Sequence, residues 1–321
     1  MRKVPALAFS MLLLVGGGVA VGEAPTTATE SAAPLEFLHP LLFTDKTQYQ
    51  LGEPVYLRLV LANWSTGTIF ALQGYLHPTN DLEVRVARAG ELPKKYTGGL
   101  RREAFLPGMN VILRPRELTA LRWLMCYEPD NKNGYLFTQP GTYVISCKAR
   151  LTVNQTPRDL TFDNIEIQVV ETTVEQQKVL SLILKPAFAA DLQSFVARKE
   201  TAKVWQEVAE RFPKSLWAPY ARMLLARHRM EENPLDSPAA FEQLQTVVRD
   251  YPDFYALDDV YYLCATAQDR LGRPLEALQW LNRLVREYPA SSYIQPTNRL
   301  FHKYVYQDDW ERRYTAWYLR E

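Results

Sequence analysis

The residues that could do chemistry are few and scattered. The four histidines, His39, His77, His228 and His302, fall in no HExxH arrangement or comparable ligand spacing. Asp130-Asn131-Lys132-Asn133-Gly134 spaces oxygen donors somewhat as a calcium loop does. However, Lys132 and Gly134 stand where such a loop needs oxygen ligands, and no Glu closes it; the run reads as a polar hairpin turn. Neither the Gly-x-Ser-x-Gly elbow nor a phosphate-cradling Gly-Lys-Ser/Thr loop is present. Asp258-Asp259 and Asp308-Asp309 could work as acid–base pairs by residue type. Each pair nevertheless stands at an expected helix start, where negative charge complements the macrodipole. The sequence therefore predicts no enzyme, no metal and no cofactor; a hydrolase would need a site of another pattern.

The elements that must position any site fall into two blocks. From Leu35 to Thr172 apolar residues alternate. Val55, Leu57, Leu59 and Leu61 share one face, Leu82–Ala87 alternates, Leu121, Trp123 and Met125 point in with Arg122 between them pointing out, and Tyr143, Ile145, Cys147, Ala149 and Leu151 point in. Ile165, Ile167 and Val169 close the series. Roughly seven short strands separated by turn residues predict an antiparallel β-sandwich. From Thr173 the period becomes helical: Val179, Leu180, Ile183 and Leu184 share a face, and Pro186 stops that helix.

The helical block repeats. Phe212-Pro213, Tyr251-Pro252 and Tyr288-Pro289 recur at steps of 39 and 37 residues. Seven residues before each aromatic stand Trp205, Leu244 and Leu281; four before stand Val208, Val247 and Leu284; twelve after stand Leu224, Leu263 and Leu300. These are buried stripes of helices that proline ends, with Ser215 and Ser291 placed to start the next. Helical hairpins of this kind bury their apolar faces by stacking on one another. At the C-terminus Trp310, Tyr314, Trp317 and Tyr318 share one helical face, as a capping helix would, or one that docks on a partner or membrane interface.

Two resemblances sharpen this. Asp258–Pro289 resembles a tetratricopeptide unit: Tyr261, Cys264 and Ala265 match its first helix, Leu271-Gly272 its turn, and Ala277, Leu281 and Pro289 its second helix. Ala240, Leu244 and Pro252 repeat the second-helix pattern one unit earlier, although Arg227 and His228 replace residues expected to be apolar and small, against close packing there. The resemblance covers roughly residues 195–305. It implies that the first helices line an inner groove where Arg222, Leu225, Arg229, Asp259, Tyr262, Thr266, Asp269 and Arg270 would hold another protein or an extended peptide. The Tyr49-x-Leu-Gly-Glu-Pro-Val stretch with Asn63, and Pro140-Gly141-Thr142-Tyr143, are similar to the immunoglobulin-like sandwiches of bacterial secreted proteins, and also to a small proteinase-inhibitor family. By that resemblance Tyr143 forms a tyrosine corner.

Composition bounds the rest. Residues 1–22 carry Arg2-Lys3, an apolar run from Val4 to Val21, and Ala20-x-Gly22, which predicts a secretory signal peptide cleaved after Gly22, with a membrane anchor as the alternative. Residues 23–34 read as a flexible leader, 35–172 as the sandwich and 173–321 as the helical repeat. The net charge of +1 gives no global reason to bind nucleic acid. Arg88, Lys94, Lys95, Arg101, Arg102, Arg114 and Arg116 leave room for weak contact with an anionic envelope surface. Of the cysteines, Cys264 reads as a core residue, and a Cys126–Cys147 disulfide stays open. The expectation is an extracytoplasmic, periplasmic or secreted scaffold binding protein through its helices. The alternative is a protease inhibitor or glycan-binding module acting through sandwich loops such as 92–106.

Overall fold

Alternation from Val55 to Leu61 should bury every second side chain, and in the computed structural model these residues lie in strand β3 (Val55–Asn63). The structure describes residues 35–74, 81–98, 101–102, 109–288, 291 and 293. The expected signal peptide and leader, Pro289, Leu300 and Asp308–Glu321 lie outside the described residues, as do the side chains of Arg101 and Arg102.

Twelve strands are described where about seven are expected. Those that the alternation does not name are short or do not alternate. They include β1 (Leu38–Thr44), β2 (Gln48–Gln50), β4 (Phe70–Gly74), β6 (Lys94–Lys95), β7 (Arg101–Arg102), β8 (Met109–Leu113) and β11 (Thr156–Thr161). With β3, β5 (Leu82–Arg88), β9 (Leu118–Met125), β10 (Gly141–Val153) and β12 (Ile165–Val170), they form two sheets. The first runs β1-β3-β9-β7. The second runs β2-β12-β10-β4-β8, with β5 and β11 also on β10 and β6 on β5. All pairs are antiparallel except β2 with β12. Pro40 sits in the edge strand β1, where a missing N–H costs least.

The inner faces share one core. Leu57, Leu59, Trp123 and Met125 of the first sheet meet Val84, Ile145, Cys147 and Ile167 of the second. The turn into β10 is closed by Tyr143, whose Oη donates to the Gln139 carbonyl at 2.9 Å. Asn63 is fully buried and bonds the Thr68 and Leu113 carbonyls and the Ser65 N–H, which fixes the loop after β3.

Among the described residues seven α-helices follow: α1 (Val174–Ile183), α2 (Pro186–Ser194), α3 (Lys199–Arg211), α4 (Trp217–Glu232), α5 (Ser237–Asp250), α6 (Leu257–Arg270) and α7 (Pro274–Glu287). Thr173 caps α1 by accepting from the Gln176 N–H. The repeated stripe is as expected: Trp205 and Val208 of α3, Leu244 and Val247 of α5, and Leu281 and Leu284 of α7 are all fully buried. Helices α4/α5 and α6/α7 pack as antiparallel hairpins, the second turning at Gly272 with φ of 67°. Arg227 and His228 do not loosen the α4 hairpin. They stay at its rim beside Glu231 and Glu232, while the fully buried Ala221, Ala226 and Ala240 let the helices approach. Ser215 does not cap α4 with its side chain; its hydroxyl is buried without a partner, while its carbonyl accepts from the Ala218 N–H and its own N–H donates to the Phe212 carbonyl.

The first sheet is covered on both faces at its Tyr56–Leu124 end, unlike the one-sided strand the alternation predicts. The outward-parity residues Tyr56, Leu124 and Cys126 pack into one apolar cluster with Val179, Leu180 and Ile183 of α1, Phe188 and Leu192 of α2, Tyr220 of α4 and Val260 of α6. Cys126 therefore lies on the helical side of the sheet and Cys147 in the sandwich core; both are free thiols. Burial pushes the thiol pKa of both up. The Asp130–Gly134 stretch is the expected hairpin turn, closed by Gly134 N–H to the Asn131 carbonyl at 2.8 Å. It also abuts α2. Gly134 has φ of 76°, and a Cβ there would come within 2.5 Å of Pro186 Cα. Gly134→Ala is expected to cost about 2 kcal/mol, read as a lower urea midpoint at unchanged m-value.

Candidate functional site

A strand residue flanked by inward neighbours points to the opposite face, and Arg122 obeys that parity. It does not reach solvent. The first helices of the hairpins lie over this face, and Arg122 is 6% exposed. Its Nη1 meets Asp258 Oδ1 at 2.5 Å and Asp259 Oδ2 at 3.4 Å, and its Nη2 donates to the Tyr255 carbonyl at 2.9 Å. Its guanidinium lies 3.9 Å from the Tyr56 ring centre. The carboxylates are completed from beyond α7: Ser291 Oγ donates to Asp258 Oδ2 and Tyr293 Oη to Asp259 Oδ1, both at 2.7 Å. Asp258 and Asp259 do begin a helix, as expected. Their first-turn position now serves a buried ion pair to the sheet as well as the macrodipole.

A second lock lies at the end of β9. Gln193 of α2 accepts from the Cys126 and Tyr127 N–H groups at 3.0 and 3.1 Å and donates to the Leu124 carbonyl at 2.9 Å. A side-chain amide thus stands in for a neighbouring strand. Asp191, fully buried on the same helix, accepts from Trp205 Nε1 at 2.9 Å, from Arg198 Nε at 2.7 Å and from the Thr201 hydroxyl, which ties α2 to α3.

Beside Arg122, Lys46 bonds the buried Glu53 and lies 4.9 Å from the Tyr49 ring and 5.2 Å from that of Tyr255. Next to them the Asp45 carboxyl is pushed up to about 7 by burial, against the pull of Arg122, Arg58 and Lys46.

The eight residues expected along an inner groove are therefore divided. Asp259 is 2% exposed and engaged by Arg122, and Leu225 is 4% exposed within the apolar cluster. Arg222 turns towards α3, donating to the Ala209 carbonyl at 3.0 Å. Arg229, Tyr262, Thr266 and Asp269 stay half-buried and Arg270 exposed. Tyr262 stacks on Tyr293 with ring centres 4.4 Å apart, Thr266 Oγ1 donates to the Tyr262 carbonyl, and Arg270 reaches back to the Met230 carbonyl at the end of α4. What the residue types did not reveal is that part of the expected groove is taken by the chain's own sheet. The signal was there in Arg122, a cation in an otherwise apolar strand, and in an Asp-Asp pair without a sequence-local partner.

The basic residues of the sandwich are spread. Arg85 pairs with Glu83 at 2.6 Å, and Arg88 donates to Gln139 Oε1 and the Pro140 carbonyl. Lys94 and Lys95 are exposed, and Leu92 at the same hairpin is 86% exposed. Among the described residues no three His, Cys, Asp or Glu side chains converge as a metal-ligating group.

No family model matches the chain, and no curated protein matches it. Solved structures similar to part of it include the Pseudomonas fluorescens alkylpurine DNA glycosylase AlkC bound to DNA containing an abasic site analog. It is 14% identical with a TM-score of 0.23, over 41% of this chain and 30% of that one. A β-glucosidase from Erythrobacter marinus is 11% identical, TM-score 0.23, over 40% and 15%. The CARDB domain of a Pyrococcus furiosus protein in complex with di-metal ions is 18% identical, TM-score 0.21, over 41% and 87%. The chain thus spans less than a third of the first two structures, and likenesses of this size carry no functional argument.

Proposed function

We propose that the chain is a non-enzymatic, extracytoplasmic scaffold that binds another protein, or an extended peptide, through a tetratricopeptide-like helical array. The observation that supports this most is the repetition of one packing scheme in successive hairpins, with Trp205, Leu244 and Leu281 at equivalent fully buried positions. On the first helices the side chains left at the surface are those suited to a peptide: Arg229, Asp269 and Arg270 for charge, Thr266 for hydrogen bonding, and Tyr262 as a half-buried aromatic anchor. The sheet fixes one part of that face, and this strip is the part the reading assigns to a partner.

The test is a photo-crosslinking residue at Thr266 in the full chain, used in the envelope of the cells that make it. A defined partner should be captured, and capture should fall at least about tenfold in Arg270→Glu while the thermal midpoint stays unchanged. Capture that is indifferent to Arg270 would sink the reading.

A second reading rests on Leu92, an apolar side chain almost wholly in solvent beside exposed Lys94 and Lys95. That hairpin suits a protease subsite or an anionic surface. It would be favoured if the same experiment gave a partner with the crosslinker at Leu92 and none at Thr266.

A further inference from the structure

Strand β3 is covered by helices where it begins, at Tyr56, and ends seven residues on, about 23 Å away, at the buried Asn63. Asn63 laces the loops of that end together. Its Nδ2 donates to the Thr68 and Leu113 carbonyls at 2.7 and 3.1 Å, its N–H donates to the Glu117 carbonyl, and its carbonyl accepts from the Arg116 N–H at 2.8 Å. The turn between β10 and β11 joins them through Asn154, whose Oδ1 accepts from the Ala71 N–H at 2.8 Å. The loop 64–69 and the turn 114–117 are thus held in one shape.

They present apolar side chains on both flanks. On the outer side of the first sheet stand Leu118 and Trp64, each 59% exposed, with Trp64 stacked on His39 at 3.9 Å between ring centres. On the outer side of the second stand Ile69 and Ile112, 54% and 65% exposed, opposite in parity to the core residues Phe70 and Leu113. Exposed Arg114 and Arg116 lie in the turn between the flanks. Arg116 holds a left-handed φ of 63°, which glycine would adopt freely, so an arginine there points to a use for its side chain.

We infer that this end of the sandwich inserts into the interface of a phospholipid bilayer, with Trp64, Leu118, Ile69 and Ile112 at the acyl boundary and Arg114 and Arg116 on headgroup phosphates. The occupant follows from shape and charge. Apolar side chains on two flanks of one end would give a protein of fixed shape two small separate contacts, whereas a fluid interface closes round both. The acids at this end are Glu36 and Glu117, and Glu117 is bonded back to the Arg114 N–H at 2.8 Å, which leaves the arginines to meet phosphate. With charge this nearly balanced, apolar burial carries the binding, and a fivefold rise in salt should weaken it by less than about threefold.

The experiment uses the full chain with an environment-sensitive fluorophore at Gly67→Cys. A Cβ there meets nothing within 4 Å, and Cys126, Cys147 and Cys264 are buried, so the label marks the loop alone. On vesicles of equal parts phosphatidylcholine and phosphatidylglycerol its emission should rise at least about threefold, and nitroxide-bearing lipid should quench it. The same label at Glu91→Cys, an exposed site in the β5–β6 hairpin, should not respond. Vesicle affinity should fall at least about tenfold in Trp64→Ser with Leu118→Ser, and as much in Ile69→Ser with Ile112→Ser, at unchanged thermal midpoints. A silent label at 67 overturns the assignment, whether the chain stays in solution or binds through another segment. So does emission already raised without vesicles, which would mean that the chain or a second copy covers this end, and so does an affinity indifferent to both double variants.

Discussion

Arg122→Met is expected to lower stability by about 3–5 kcal/mol, because it removes the cation and leaves two carboxylates in the seam between sheet and helices. Asp258 and Asp259 are 3% and 2% exposed, and without Arg122 they keep Ser291 and Tyr293 as donors but lose their counter-charge. The Tyr255 carbonyl loses its donor as well. Methionine fills much of the same length over the Tyr56 ring, so the loss measures charge more than volume. The control is Arg122→Met combined with Asp258→Asn and Asp259→Asn, which replaces the ion pair by neutral groups and should recover all but about 1–2 kcal/mol. Urea unfolding followed by tryptophan fluorescence reads both. A loss below about 1 kcal/mol in the single variant would mean that this seam is open to water.

The second large effect is a pH dependence set by Asp45. Its carboxyl is held at about 7 in the folded chain, chiefly by burial, and its Oδ2 is buried without a hydrogen-bond partner among the described residues. The unfolded carboxyl titrates near its ordinary 3.8. Between these values the folded state keeps a proton that the unfolded state has released. The stability that the protonated Asp45 contributes is therefore complete below about pH 4, and it is lost as pH rises through 7. The full span amounts to about 4 kcal/mol. Asp45→Asn holds the side chain neutral at every pH, so the variant should match the parent at pH 4 and exceed it by up to that amount at pH 8. The measurement is a pair of urea titrations at the two pH values. A variant that is no more stable at pH 8 would show that Arg58 and Arg122 offset the burial.

The sequence made the cores legible wherever period and residue type agree. The β10 alternation from Tyr143 to Leu151 and the repeated Trp205/Leu244/Leu281 stripe are both buried as expected, because each depends on local periodicity alone. The short strands β2, β6 and β7 were not legible, since two or three residues cannot display a period. The seam was not legible for a different reason. Arg122 and Asp258 lie 136 residues apart, and nothing local distinguishes a cation that faces water from one that faces a helix start. Parity gave the correct face for Arg122, but not what covers it. The same gap explains Asp259, which a repeat pattern puts on an inner face and the fold then turns to the sheet. For Tyr262, Thr266, Asp269 and Arg270, positions on the first helix sufficed to find side chains that remain near the surface.

The helices are seated on the sheet, so the two should unfold as one body. The most direct test is hydrogen exchange by mass spectrometry along a urea titration of the full chain, following peptides over β9 (Leu118–Met125) and α6 (Leu257–Arg270). Both should lose protection in one transition with a common midpoint, and Arg122→Met should shift both together. Loss of protection in α6 at clearly lower urea, with β9 still protected and unmoved by Arg122→Met, would contradict it.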